Sequence, residues 1–172
     1  MLFRSLSSAD AGATWSSVTT SFSEGLRGVA ASSTLFVAVG GQTTARIISS
    51  SDGATWTEAT LAAPAGKLRA VTHDGTRFVA VGAGGTVLSS TDGATWVAQS
   101  SGSVERLDGI VWTGSALEVI SETGKFLRST DGGVTWSTPV SGNAPSWVEG
   151  MVWSSSRVVM VGGGGQIGRA HV

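Results

Sequence analysis

The sequence contains no cysteine and no tyrosine, and few of its residues are charged. The absence of cysteine excludes disulfide bonds, a thiolate zinc site and a thiol nucleophile. The absence of tyrosine excludes every mechanism that needs a phenol. Charged residues make up 13% of the chain and the net charge is −1, which argues against nucleic acid as a partner. No stretch of 18 consecutive apolar residues occurs, so no membrane insertion is expected.

What the chain does have in abundance is small and apolar residues. Hydrophobic residues make up 41% of the 172 positions, which is enough to form a packed core. The 25 glycines are interspersed with serine and threonine. This composition predicts an all-β fold of short strands joined by tight turns.

A short motif ending in Thr-Trp occurs four times, and its tryptophans are 41, 40 and 40 residues apart. Its aspartate can accept backbone N–H bonds within its own turn, and its glycine supplies angles that a side chain forbids. We expect its tryptophan to pack against the next repeated unit, or blade, of the fold. The motif residues are Asp10, Gly12 and Trp15, then Asp52, Gly53 and Trp56, then Asp92, Gly93 and Trp96, and finally Asp131, Gly133 and Trp136.

Two further elements keep the same period, so the chain repeats every 40 residues or so. Phe-Val-Ala-Val-Gly at 36–40 returns at 78–82, and Leu-Arg-Gly-Val at 26–29 returns as Leu-Arg-Ala-Val at 68–71. One unit predicts strands at 68–72, 77–82, 86–90 and 95–99, separated by turn residues. Four short antiparallel strands in about 40 residues make one propeller blade.

The motif Ser-x-Asp-x-Gly-x-Thr-Trp resembles the Asp-box, or BNR, repeat. Two of the copies match it fully and two match it with one deletion. The resemblance covers residues 2–165 and implies a β-propeller in which the box joins the third and fourth strands of each blade. The amino-acid sequence of the repeat is similar to those of photosystem II assembly factor-like proteins, sialidase-like proteins and uncharacterised bacterial and phage proteins. It therefore indicates fold better than function.

The repeat predicts a segment of about four blades that begins and ends within a blade. We expect a half blade at 1–25, units at about 26–66, 67–106 and 107–146, and a half blade at 147–166. Residues 167–172 depart from the repeat and resemble a translated sequencing adapter, so we expect a non-native tail. An ordinary divergent tail is the alternative.

Two closures of such a segment are possible. The two half blades could pair to close a four-bladed ring. Alternatively, the chain is an open arc of a larger propeller, which the two incomplete ends favour.

Catalytic chemistry finds little support in the residues. The resemblance to sialidases implies a tyrosine nucleophile and an arginine triad, and the chain has no tyrosine. A glycosidase of another kind needs two facing carboxylates, but the spacing of Asp108, Glu118, Glu122 and Glu149 singles out no pair. No metal or cofactor site is expected, since His73 stands alone outside the suspected tail.

The second residue of each first strand suggests a binding surface. These residues are Arg27, Arg69, Asp108 and Glu149, and first strands line the central channel of a propeller. We predict a polar channel rim that binds a protein or a glycan, with Arg69 beside Asp108; a merely solvated rim is the alternative. Trp112 and Trp153 share one strand position, and Trp147 precedes the last unit; buried packing is favoured over a stacking surface.

The functional prediction is a non-catalytic binding or assembly scaffold from a bacterial or phage protein. The alternative is part of a sialidase-like glycoside hydrolase whose catalytic residues lie elsewhere. A photosystem II assembly factor-like role is a third option. No signal peptide is visible at the start of the sequence, and the resemblance favours an extracytoplasmic or phage structural location.

Overall fold

The computed structural model describes residues 4–19, 24–141, 148–154, 157–162 and 167–171. Within these ranges the chain is built almost entirely from short β-strands arranged in five successive sheets. Neighbouring strands are antiparallel in every sheet, with one exception in the third. The all-β propeller architecture expected from the repeat is confirmed.

The five sheets follow one another in chain order. The first sheet contains β1 (Arg4–Ser7) and β2 (Ser16–Thr19). The second contains β3 (Leu26–Ala31), β4 (Phe36–Gly40), β5 (Arg46–Ser50) and β6 (Thr57–Glu58). The third contains β7 (Thr60–Leu61), β8 (Leu68–His73), β9 (Phe78–Gly82), β10 (Thr86–Ser90) and β11 (Thr95–Ser100). The fourth contains β12 (Leu107–Trp112), β13 (Leu117–Ser121), β14 (Lys125–Ser129) and β15 (Val140–Ser141), and the fifth contains β16 (Val148–Ser154), β17 (Arg157–Gly162) and β18 (Ile167–His171).

The third sheet shows how closely turn chemistry sets the strand ends. Its four antiparallel strands lie within one residue of the limits expected from the sequence at both ends. Asp74 fixes the turn between β8 and β9, since its Oδ1 atom accepts hydrogen bonds from the N–H groups of Thr76 and Arg77, both at 2.8 Å. A short 3₁₀ turn at Ala83–Gly85 then leads into β10.

The chain forms an open arc. The strand pairing contradicts closure into a four-bladed ring. Within the described residues, β1 and β2 pair only with each other. The edge of β17 that a ring would offer to β1 is occupied by β18, with Met160 opposite Gly168. This pairing gives residues 167–171 a place in the fifth sheet; their non-native origin stays a prediction.

The core lies between the sheets rather than within each one. One cluster of buried side chains joins the second and third sheets, a second joins the third and fourth, and a third joins the fourth and fifth. Trp96 is fully buried in the first of these, together with Val37 and Val39 of the second sheet. The prediction that this tryptophan packs against the next blade is therefore wrong for Trp96. It packs against the preceding sheet, because its turn leans back over β4.

One strand pairing crosses the repeat boundary. The two residues of β7 follow β6 in the second unit, but they pair in parallel with β11, with Thr60 opposite Thr95 and Leu61 opposite Trp96. The N–H of Thr60 also donates to the carbonyl of Ala94 at 2.7 Å. The connection between the two units is thus bonded into the outer edge of the later sheet.

Candidate functional site

In each of the second to fifth sheets, one inner strand carries a β-bulge at its second residue; these strands are β3, β8, β12 and β16, which we call the first strands. The register between first and second strands shifts between Leu26 and Gly28, and the same shift occurs at the matching place in the third, fourth and fifth sheets. A bulge leaves one residue outside the ladder and redirects its side chain. The bulged residues are Arg27, Arg69, Asp108 and Glu149.

These four residues line one pocket. Its volume is about 190 Å³, and Leu26 and Val148 complete its wall. Four consecutive sheets therefore contribute to a single polar cavity on the inner side of the arc. The structure brings together the four residues that the repeat marked as a channel rim, while their binding role stays a prediction.

Asp108 is the electrostatic centre of this pocket. Its side chain is fully buried and accepts hydrogen bonds from Arg69 Nε at 3.2 Å and from Arg106 Nε at 2.6 Å. Arg106 donates a second bond to Asp108 from Nη2 at 3.1 Å and extends Nη1 to Glu122, also at 3.1 Å. The hydrogen bond to Asp108 raises the pKa of the Arg106 guanidinium above its ordinary value.

The two remaining rim residues face the solvent. Arg27 is exposed on β3 and Glu149 is exposed on β16, so the pocket has a cationic residue in the second sheet and an anionic one in the fifth. An exposed charge keeps its hydration until a partner arrives and can exchange water for that partner at low cost. The pocket thus has a buried, ion-paired centre and two accessible charges of opposite sign.

The four candidate carboxylates are dispersed. Glu118 bonds to Arg128 across β13 and β14, and its partial burial raises the pKa of the carboxyl, an effect that Arg128 opposes. Glu122 bonds to Arg106. Of the four, only Asp108 and Glu149 reach the pocket, and both oxygens of Asp108 already accept bonds from Arg106.

The four aspartate motifs form self-contained turns, which we call the Asp turns (residues 8–15, 50–56, 90–96 and 129–136). In the turn at 90–96, Asp92 Oδ1 accepts hydrogen bonds from the N–H groups of Ala94 and Thr95 at 2.8 and 2.9 Å. Ser90 Oγ donates to the same carboxylate and accepts the N–H of Gly93 at 2.8 Å. These bonds lower the pKa of Asp92 below its ordinary value, with the N–H of Thr95 as the largest cause.

The two longer Asp turns accommodate their additional residue by a second left-handed backbone position. In the last turn, Gly132 and Gly133 have φ angles of 73° and 86°, and Asp131 then reaches the N–H and hydroxyl of Thr135, the hydroxyl at 2.6 Å. In the first turn the matching residues are Ala11, with φ 57°, and Gly12. Left-handed angles cost a residue with a Cβ about 1 kcal/mol or more, so Ala11 is a strained position.

Each Asp turn holds its tryptophan in the same way. The indole N–H of Trp15, Trp56, Trp96 and Trp136 donates to the carbonyl of the turn glycine, at 3.0–3.3 Å. These contacts account for the recurring Asp, Gly and Trp without a ligand. Trp112 and Trp153 are half-buried against the inter-sheet clusters, in line with packing, and Trp147 lies outside the described residues.

Sequence reasoning missed Arg106, which donates two hydrogen bonds to the buried carboxylate of Asp108. It stands two positions before Asp108, and side chains at that spacing lie on one side of an extended chain. This spacing was the available signal.

Within the described residues, no group of three or more His, Asp or Glu side chains could hold a metal ion. The helices found in those residues are all too short to span a membrane.

The chain matches one protein-family model and is similar to several solved structures. Residues 14–169 match the family described as the DUF6242 beta propeller domain. The structure is similar to YCF48 bound to D1 peptide (TM-score 0.71, 19% identity, 95% of this chain and 56% of that one). It is similar to the computationally designed Ika4 protein (TM-score 0.64, 13% identity, 88% of this chain and 93% of that one). It is also similar to the computationally designed Ika8 protein (TM-score 0.63, 12% identity, 93% of this chain and 50% of that one). The chain thus spans little more than half of YCF48 and half of Ika8. No curated protein matches the sequence.

Proposed function

The chain belongs to the DUF6242 β-propeller domain family, and from that premise we propose that it is a non-catalytic scaffold that binds a protein partner at its central pocket. The observation that carries the proposal is the convergence of four bulged residues, one from each first strand, on one cavity of about 190 Å³. Bulges are found where a sheet redirects a side chain for use.

The charges of the pocket indicate the kind of partner. Arg27 suits a carboxylate, because a guanidinium can donate two parallel hydrogen bonds to it. Glu149 suits a lysine or arginine. A peptide segment with an acidic and a basic side chain a few residues apart would meet both, and the volume admits one or two side chains rather than a folded surface. The solved structure of YCF48 bound to D1 peptide shows a propeller of this general shape with a peptide partner.

The Asp turns are proposed to be structural Asp-box turns. Their carboxylates accept bonds from their own backbone and hydroxyl groups, and this internal satisfaction supports a role in shaping the outer hairpin. A glycan partner and membership of a sialidase-like hydrolase stay predictions, and no feature of the pocket favours either over a peptide.

A peptide-display selection tests the proposal. A random twelve-residue phage library is selected on the immobilised chain, and enriched peptides are measured by calorimetry against the wild type and three variants. We expect peptides that combine Asp or Glu with Lys or Arg. Arg27→Ala and Glu149→Ala should each weaken binding about tenfold, which is the loss of one charge-assisted bond.

Arg157→Ala is the matched control, since Arg157 is an exposed arginine of β17 that does not line the pocket. It should leave the affinity unchanged. Equal loss in all three variants, or peptides with no charge preference, would place binding outside the pocket and overturn the proposal.

A further inference from the structure

The outer side of the contact between the second and third sheets is closed by β7. The N–H of Thr60 donates to the carbonyl of Ala94 at 2.7 Å, and the N–H of Ala62, the residue after β7, donates to that of Trp96 at 3.0 Å. The side chain of Leu61 packs against the cluster that contains the fully buried indole of Trp96. A strand of two residues thus supplies both backbone bonds and an apolar side chain at this edge.

The outer edge of the fourth sheet offers the same backbone acceptors. Val134 and Trp136 occupy the repeat positions of Ala94 and Trp96, and no described backbone N–H donates to the carbonyl of either. Residues 100–101, which correspond to β7, remain with the third sheet. Trp136 is only half-buried, whereas Trp96 is fully buried. The described residues therefore place no counterpart of β7 at this edge.

A cleft of about 310 Å³ lies on the face of the third sheet that meets the fourth. Val97 and Ser89 line it; Val97 lies opposite Ser89, and Ser89 lies opposite Val79, which packs in the cluster shared with the fourth sheet. Directly opposed residues share a face of the sheet. The chain packs a further sheet against each of these two, so the cleft is internal to the repeat.

The cleft holds the positions that are apolar in the preceding contact between sheets. In the second sheet, Leu35 and Ala59 stand at the repeat positions of Arg77 and Gln99, which line the cleft. Leu35 and Ala59 pack against the same cluster as Leu61. The third sheet therefore has a guanidinium and an amide where the second sheet has the apolar surroundings of Leu61.

The last Asp turn holds Arg77 in this place. A Cβ added to Gly132 would lie 2.9 Å from Arg77 Nε, just as a Cβ added to Gly93 would lie 2.3 Å from Leu35 Cδ2. The Nε atom of Arg77 is buried and has no hydrogen-bond partner among the described residues. A buried donor without an acceptor is costly, so an occupant with an anionic group is favoured at this point.

The two carboxylates nearest to Arg77 leave its charge unpaired within the described residues. Asp92 lines the cleft and Asp74 lies near Arg77, and each uses its Oδ1 atom to accept N–H groups of its own turn. The ion pairs of the described residues include neither aspartate. The guanidinium is thus the group in the cleft that a partner of opposite charge can engage.

We propose that the outer edge of the fourth sheet captures an extended peptide segment of a partner protein, which pairs in parallel with residues 134–136 as β7 pairs with β11. The peptide carries a glutamate at the position of Leu61, and its carboxylate enters the cleft and binds Arg77. In strand addition the backbone hydrogen bonds give affinity and the side-chain pocket gives specificity. This site lies on the outer strands and is separate from the central pocket on the first strands.

The segment that contains β7 supplies the probe for this proposal. Two synthetic peptides are compared, one with the sequence of residues 57–63 and one with Leu61→Glu in that sequence. The glutamate peptide should bind the full chain about tenfold more tightly, because its carboxylate gains a charge-assisted bond from Arg77. Fluorescence anisotropy of the labelled peptides measures both affinities. Absence of binding by the glutamate peptide, or equal affinity of the two, overturns the proposal.

Exchanging the lining of the cleft should exchange its preference. Arg77→Leu with Gln99→Ala introduces the residues that stand at positions 35 and 59, so the fold should be retained, and circular dichroism checks this. The double variant should prefer the leucine peptide. Arg77→Gln, which keeps a polar side chain, should remove the advantage of glutamate without reversing it. A preference for glutamate that survives in both variants would contradict the role of Arg77.

Methylation of the peptide backbone tests the strand pairing by itself. Successive N–H groups of an extended strand point to opposite sides, so the nitrogen at position 60 faces the sheet and the nitrogen at position 61 faces away. Methylation at position 60 should weaken binding at least about tenfold, and methylation at position 61 should have little effect. Equal losses would mean that the peptide does not pair with the edge, which overturns strand addition.

Arg27→Ala is the matched control, because Arg27 lines the central pocket and not the cleft. It should leave the affinity of the glutamate peptide unchanged, and Arg77→Gln should leave binding at the central pocket unchanged. Loss of the glutamate peptide in Arg27→Ala would place it in the central pocket and overturn the outer site. Analytical ultracentrifugation of the chain alone completes the test. Self-association that the peptide reverses would make a second copy the occupant and overturn the assignment to a partner protein.

Discussion

Arg69 and Asp108 join the innermost strands of two neighbouring sheets, with Nε of the guanidinium 3.2 Å from Oδ1 of the carboxylate. The two residues are bulged at the same position of successive repeats, so one repeat supplies the cation and the next the anion. Arg106 adds two further bonds to the same carboxylate. The pocket therefore rests on a buried anion shared by two arginines.

Asp108→Asn should destabilise the chain and disorder the pocket. The amide keeps the shape but removes the charge that balances two partly buried guanidinium groups, and breaking a buried pair costs about 3 kcal/mol. Urea unfolding followed by tryptophan fluorescence measures the loss. Glu58→Gln, which removes a largely exposed partner of Arg46, is the control and should have a much smaller effect. Equal effects would mean that Asp108 is effectively hydrated.

Trp96→Phe should be more costly than Trp15→Phe. Both indoles donate to a turn glycine at 3.1 Å, but Trp96 is fully buried between two sheets and Trp15 is largely exposed. Losing ring volume and a buried hydrogen bond at position 96 should lower the free energy of unfolding by about 2 kcal/mol. Thermal unfolding of the two variants provides the comparison. A similar loss in both would show that the hydrogen bond, and not burial, sets the contribution of the motif.

Gly82→Ala should strongly impair folding, although its φ is not left-handed. A Cβ at this position would lie 2.2 Å from the carbonyl oxygen of Lys67 and 2.8 Å from Leu68 Cα, so the bulge at the start of β8 would have to move. Overpacking against the backbone costs about 1–3 kcal/mol. Gly25→Ala is the control, because a Cβ added there would have no other atom within 4 Å. Denaturant midpoints that fall equally would contradict the steric account.

Stability should decrease below about pH 4 in a way that depends on the Asp turns. The hydroxyl and N–H of Thr135 lower the pKa of Asp131 from its ordinary 3.8 to about 2. Because the unfolded chain takes up the proton first, this contribution is complete above the ordinary pKa and is lost as the pH falls toward 2. Asp131→Asn cannot ionise at this position, so its stability should fall less steeply with acid. Denaturant unfolding from about pH 5 to about pH 2 measures both slopes. Parallel curves would show that the turn does not favour the carboxylate.

The sequence predicted most of the third sheet because each of its strand ends is fixed locally. Asp74 and Asp92 satisfy backbone N–H groups within two or three residues of themselves, and such turns can be read from short motifs. The β7–β11 pairing could not be read, since Thr60 and Leu61 show no alternation and their partner lies more than 30 residues away.

The site was predicted in part for a similar reason. The repeat identified Arg69 and Asp108 as equivalent positions, and the structure brings them into contact. The bulges at these two positions depend on the hydrogen-bond register between strands, which has no mark in the sequence. The direction in which the arc turns decides which sheet covers Trp96, and the sequence does not show that direction. We therefore expected the following sheet, whereas Trp96 packs against the preceding one.

The parallel pairing of β7 with β11 has a consequence for recombination of the repeats. A crossover placed at a sequence boundary near residue 66 would separate Thr60 and Leu61 from the strand they edge. An exchangeable module is therefore better cut before residue 60, so that each transplanted sheet carries its own outer border. Chimeras joined there should keep their native edge, whereas chimeras joined later inherit a foreign one.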